Sequence, residues 1–235
     1  MVIVAALGSA LAYAVAMVLQ QRSAAEVAPD LSLRPRLVIA LMRQRWWLVG
    51  IAVNVVAFGL RAVALDRGSL VLVQPLVLSG LVFALVLESV VARQPVTRAE
   101  LAAGAALVLG LAVFLVAASP SRGSTSPAVR SWLVLAAVIT PFIVVGVVAA
   151  RRAAGDRRAA WLAFAGAFLL AATAALTKQT AAALSHGVGH ALTSWAPYTL
   201  VGVGGVAVIL TQSAFQAGPL RASLPVLSVV EPLTS

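Results

Sequence analysis

Eight runs of apolar residues follow one another along this chain, about twenty residues each and long enough to cross a bilayer as a helix, except the last, which reads as cut short by the chain end. They are read at 2–20, 46–65, 69–88, 99–118, 131–150, 160–180, 197–215 and 219–235, and none holds more than two charged residues. Residues are 62% hydrophobic and 10% charged, against roughly 25% charged in a soluble domain. That much apolar surface requires lipid as its solvent. The runs lack the dyad alternation of a membrane barrel strand, so they are expected to be helices. The fold class is therefore an all-α polytopic membrane protein.

Charge sets the orientation. Sixteen arginines and one lysine face seven acids. In a soluble chain this excess would suggest nucleic acid, but the arginines sit between spans, where cytoplasmic retention explains them. With the N-terminus outside, the inside segments 20–45, 89–98, 151–159 and 216–221 hold twelve basic residues, and the outside segments hold Arg67, Arg122, Arg130 and Lys178. Arg61 lies near the end of its own span and is left out of that count. The first run has no basic leader and no small-residue cleavage site, so it is read as a retained span. Leu37–Met42 is apolar but too short to cross, and an interfacial or re-entrant helix is expected there. The locale implied is a bacterial plasma membrane, with lipid as the first partner and nucleic acid excluded. Oligomeric state is left open.

The chain also repeats. A shift of 150 places Ala64 on Ala214, Gly68 on Gly218, Leu70 on Leu220 and Pro75 on Pro225. A shift of 158 places Val18-Leu19-Gln20-Gln21 on Leu176-Thr177-Lys178-Gln179. The paired spans run in opposite directions, with 131–150 as the odd helix that reverses the second unit. The expected organisation is a first repeat at 1–118, a linking helix and loops at 119–159, and an inverted repeat at 160–235. The partner of 99–118 is missing, so nine or ten spans are expected in a complete chain and this one reads as truncated. Inverted repeats with Pro-interrupted spans point to a secondary transporter.

Several segments look familiar at this point. They are Trp46-Trp47-Leu48-Val49-Gly50, the stretch from Ala64 to Pro75-Leu76, and Glu88 through Pro95 and Thr97 to Glu100 and Gly104. In the second half they are Leu176-Thr177-Lys178, Gln212 through Gly218, and Leu224-Pro225. With these the chain resembles the drug/metabolite transporter superfamily, in its EamA-like and NIPA-like (magnesium transporter) branches. The resemblance implies a helical carrier with two inverted halves and alternating access, and it names no solute.

Polar groups inside spans are costly and are the first candidates for function. Lys178, the sole lysine, follows a charge-free run and could pair with a substrate anion or with Glu231; a snorkelling helix-end lysine is the plainer alternative. Glu231, within the last span, is a candidate for proton coupling or for ion pairing. Gln74, Gln212 and Asn54 could bind solute or tie helices together. The Tyr13 hydroxyl needs a partner at its depth. Pro75, Pro225 and Pro232 break helical hydrogen bonds, a device that lines cavities. Gly50, Gly59, Gly80, Gly104, Gly110, Gly202, Gly204 and Gly205 are expected at close helix contacts. His186 and His190 lack a third ligand and read as loop residues.

No catalytic constellation, cofactor motif or metal set is recognisable, so an enzyme is not expected. The first reading is a carrier of a small metabolite. A NIPA-like magnesium carrier is second, disfavoured because the spans offer few carboxylates and Lys178 would repel a cation. A non-transporting scaffold or remnant is the alternative of another class.

Overall fold

The computed structural model describes residues 1–68, 70–92, 97–98, 101–102, 104–106, 109–110, 113 and 129–233, with side chains in the last helix through Leu227. Among them there is no strand. The first helix, α1, is Val2–Ala25; a single 3-10 turn at Pro29–Leu31 leads to α2 at Pro35–Met42 and α3 at Arg45–Arg67. Next come α4 at Leu70–Leu78, α5 at Gly80–Ala92, α6 at Val129–Arg152 and α7 at Gly155–Ser185. The chain closes with α8 at Val188–Thr193, α9 at Ala196–Ala217 and α10 at Leu220–Leu233.

Six helical stretches among the described residues are long and apolar enough to span a membrane: Val2–Ala25, Arg45–Arg67, Leu72–Val91, Arg130–Arg152, Gly155–Ser185 and Ala196–Ala217. This makes the protein a multi-pass helical membrane protein. Six of the eight expected runs correspond to these helices. The run at 99–118 lies outside the described residues as a helix. The run at 219–235 is described as α10 over 14 residues, Leu220–Leu233. The apolar stretch after Arg36 forms α2, a short helix of eight residues that starts at a proline and buries Leu37 and Leu41.

Two helices organise the packing. Helix α1 lies antiparallel to α3, since Gly8 approaches Leu60 while Gly50 approaches Ala16 and Gln20. It also touches α4, α5, α9 and α10. Helix α7 lies antiparallel to α9, with Gly166 against Thr211 and Gly204 near Thr173, and it also packs on α6 and α10.

The contacts are close because the facing residues are small. A Cβ on Gly80 would stand 2.9 Å from the Ala10 carbonyl oxygen, and one on Gly50 would stand 3.2 Å from that of Ala16. Buried positions of α1 include Ala6, Ser9, Ala10, Ala14 and Ala16, and those of α7 include Ala159, Ala163, Ala165, Gly166 and Ala167. The outward faces carry Val4, Leu11, Val55, Val56, Val134, Val138 and Val201, all exposed. This distribution suits lipid, where helices associate through close backbone approach and large apolar side chains are already in a good solvent. The expectation of helix contact fails at Gly59, Gly110, Gly202 and Gly205, which meet nothing within 4 Å; they sit on faces turned away from every described neighbour.

Helix α4 contains Pro75 and ends at Leu78. Its backbone path continues into α5 through Ser79, whose N–H donates to the Pro75 carbonyl at 3.1 Å while its own carbonyl accepts from Phe83 N–H at 3.1 Å. The i−4 hydrogen bonding therefore carries α4 into α5 with no unwound segment.

Candidate functional site

One end of the bundle is tied across its two halves. Helix α9 carries Gln212, Ser213 and Gln216 on one turn-spaced face near its C-terminus. Gln212 Oε1 accepts from Trp47 Nε1 at 3.2 Å, and Gln212 Nε2 donates to Gln20 Oε1 at 3.0 Å. Both glutamines are buried. Ser213 Oγ accepts from the Leu33 N–H at 2.9 Å, and Gln216 Nε2 donates to the carbonyls of Val27 and Ala28 at 3.0 and 2.8 Å. Gln21 Nε2 donates to the Gly218 carbonyl at 3.3 Å, and Arg158 Nη2 to Ser32 Oγ at 3.0 Å.

Glu88, near the C-terminus of α5, adds another tie. Its two carboxylate oxygens accept the N–H groups of Leu220 and Arg221 at 2.6 and 3.1 Å. These are the first two residues of α10, so a carboxylate from one half caps a helix of the other, where orphan N–H groups and the helix dipole favour negative charge. Arg22, Arg34, Arg36, Arg43, Arg45, Arg157 and Arg158 lie on the segments gathered at this end.

The other half of the bundle's depth holds a cavity of about 480 Å³. Helices α1, α3, α4 and α5 wall it, with Ala174 of α7 completing the lining. Helix α3 presents one continuous face, Asn54, Ala57, Phe58, Arg61, Ala62 and Leu65, at the three- and four-residue spacing that brings side chains onto one stripe. Ser9 and Tyr13 come from α1; Gln74, Val77 and Leu78 come from α4. Arg61 Nη2 donates to Gln74 Oε1 at 3.0 Å, and Gln74 is buried beside Pro75. Ser9 Oγ donates to the Ala57 carbonyl at 2.8 Å and so fastens α1 to α3 at the cavity edge.

The candidates read from sequence are thus divided. Tyr13, Asn54 and Gln74 meet in the cavity. Gln212 is in the amide chain at the tied end, and Lys178 is exposed on α7, one turn beyond the cavity-lining Ala174 and not itself among the described lining residues. Pro75 is inside α4, and Pro225 inside α10. The side chains of Glu231 and Pro232 lie outside the described residues. His186 ends α7 and His190 lies in α8; both are exposed, their rings 5.6 Å apart, and no group of three metal-ligating side chains exists among the described residues. Arg61 was passed over in the sequence. Its seven-residue spacing from Asn54, two turns along one helix face, was the signal that could have found it.

The chain is similar to an uncharacterized protein of Corynebacterium glutamicum, 28% identical over 98% of this chain and 80% of that protein. No family model matches. No solved structure matches.

Proposed function

We propose that this chain works as a secondary carrier of a small solute, in the manner of the drug/metabolite transporter superfamily that its motifs resemble. The observation that carries the reading is the pairing of a polar-lined cavity of about 480 Å³ with a hydrogen-bonded closure at the Arg-rich end of the same bundle. Cavities of this size suit small molecules. A carrier needs a site that opens to one side while the other side is held shut, and then the reverse. With the Arg-rich end inside, the arrangement is an outward-facing state.

The two halves also build their contacts alike, in support of an inverted repeat. Helix α1 packs on α3 and α5, and α7 packs on α9 and α10. Gly68, after α3, abuts Val2 at the start of α1; Gly218, after α9, abuts Ala159 near the start of α7. A hydrated magnesium ion is a poorer fit for this cavity, since its described lining has one guanidinium and no carboxylate.

Because the chain has no cysteine, an Asn54→Cys variant reports solvent access at one place in the cavity. In sealed right-side-out and inside-out vesicles, alternating access makes this position react with an impermeant maleimide from both sides. Reaction from the outer side alone, in protein shown to be folded, would remove the carrier reading and leave a static scaffold.

A further inference from the structure

We propose that His186 and His190 form a two-histidine site for a borderline divalent transition ion, of the class of Zn²⁺, Ni²⁺ or Cu²⁺, at the end of the bundle away from the arginine-rich segments. The inference depends neither on the cavity nor on the carrier reading. The two rings lie just past the last turn of α7, their centroids 5.6 Å apart and their planes at 48°. Two imidazoles on one ion at about 90–110°, with metal–nitrogen bonds of about 2.0–2.1 Å, put their centroids about 4.5–5 Å apart. Both side chains are exposed, so small rotamer adjustments close the difference.

The hydrogen bonding of His186 presets it as a ligand. Its Nδ1 stands 2.8 Å from the Ala182 carbonyl oxygen. A carbonyl oxygen only accepts, so Nδ1 carries the hydrogen and, in the neutral ring, Nε2 keeps its lone pair. Ser185 Oγ donates to the same carbonyl at 2.7 Å. A backbone carbonyl that takes the second ring N–H is the usual outer partner of a metal-bound histidine, because it fixes the tautomer and the ring orientation. His190 is brought alongside by the turn at Gly187, whose φ of +108° is one that favours glycine. A Cβ on Gly189 would meet nothing within 4 Å, so there is room beside the pair.

Charge and ligand chemistry set the class of ion. From Gln179 to Trp195 the chain carries no aspartate, glutamate, lysine or arginine. No fixed cation of this segment therefore opposes a metal, and the C-terminus of a long helix favours positive charge. Without a carboxylate on the segment, Mg²⁺ and Ca²⁺ lack the oxygen ligands they take, whereas imidazole suits zinc, nickel and copper. The described residues hold no group of three metal-ligating side chains, so water completes the coordination shell and the site is an exchangeable one. An ion bound there ties the end of α7 to α8 across Gly187.

Composition makes the test sharp. The chain has two histidines and no cysteine, so metal-bound imidazole nitrogen has no other source in it. Cu²⁺ is titrated into the full chain, without a histidine tag, in a non-ionic detergent, and followed by electron paramagnetic resonance. The expected result is one ion per chain with superhyperfine coupling to two imidazole nitrogens, displaced by Zn²⁺ and Ni²⁺ and indifferent to Mg²⁺. His186→Gln and His190→Gln should each leave one coupled nitrogen and weaken binding about tenfold or more, because the second ring otherwise binds at the high effective concentration of a short link. Zn²⁺ should also slow amide hydrogen exchange over residues 183–193 in the parent chain and not in the double variant. Copper coupled to one imidazole or to none in the parent chain overturns the proposal. So does either single variant that binds as tightly as the parent, or slowed exchange that persists in the double variant.

Discussion

The two ends of the bundle use polar side chains in opposite ways. At the Arg-rich end, glutamines and a glutamate reach between distant segments and spend their hydrogen-bonding capacity on the protein itself. At the other end, Tyr13, Asn54, Arg61 and Gln74 gather around open volume, and the bond from Arg61 to Gln74 runs between adjacent helices of the same half. The difference teaches that an amide within a span does not declare its role. Gln74 and Gln212 are both buried within apolar spans, yet one borders a cavity and the other bolts two halves together.

The largest test of this comparison is all-or-none. Leu192→Cys, at the cavity end, is expected to react with an impermeant maleimide in intact cells, and Arg43→Cys only after permeabilisation. The opposite pattern reverses the bundle and makes the tied end external. Next is Gly80→Val, beneath the cavity, where even a Cβ would meet the Ala10 backbone at 2.9 Å. Overpacking there should cost about 1–3 kcal/mol in a denaturant titration in detergent; an unchanged midpoint means that α5 is free to move off α1.

Gln212→Ala should cost about 1–2 kcal/mol, for two interhelical hydrogen bonds of about 0.6 kcal/mol each and up to about 1.7. Smallest is Asn54→Ala, within about 0.5 kcal/mol of the parent in the same titration. A cost as large as that of Gln212→Ala would erase the distinction between the two ends.

How much of this was legible in the sequence follows from what hydropathy measures. Span length and the arginine asymmetry are one-dimensional, and six apolar runs became six membrane-length helices. The short helix Pro35–Met42 was readable from its proline start and its limited apolar length. Which side of each helix faces protein was not readable in the same way. Valine covers the outside and alanine the inside, and both count as apolar, so the amphipathic stripe that betrays a soluble helix is absent.

Long-range pairing was also hidden. Gln20 and Gln212 are 192 positions apart, and no spacing rule connects them. Lys178 drew notice because lysine is rare in this chain, whereas Arg61 was one arginine among sixteen. Depth along the helix, not rarity, is what separates them: Arg61 shares a cavity-lining stripe with Asn54, Ala57 and Phe58, and Lys178 lies exposed one turn beyond the lining residue Ala174.

The tie between Gln20 and Gln212 also has a clock attached. Synthesis at about 5–20 residues per second puts about 10–40 s between the emergence of the first glutamine and that of its partner. For that interval α1 is a finished helix with an unfinished side, its amide and its row of alanines waiting for helices still on the ribosome. Whatever shelters α1 in the meantime, whether the insertion machinery or the water at the bilayer edge, acts as a temporary stand-in for α9. A chain that stalls before Gln212 would leave that face uncovered.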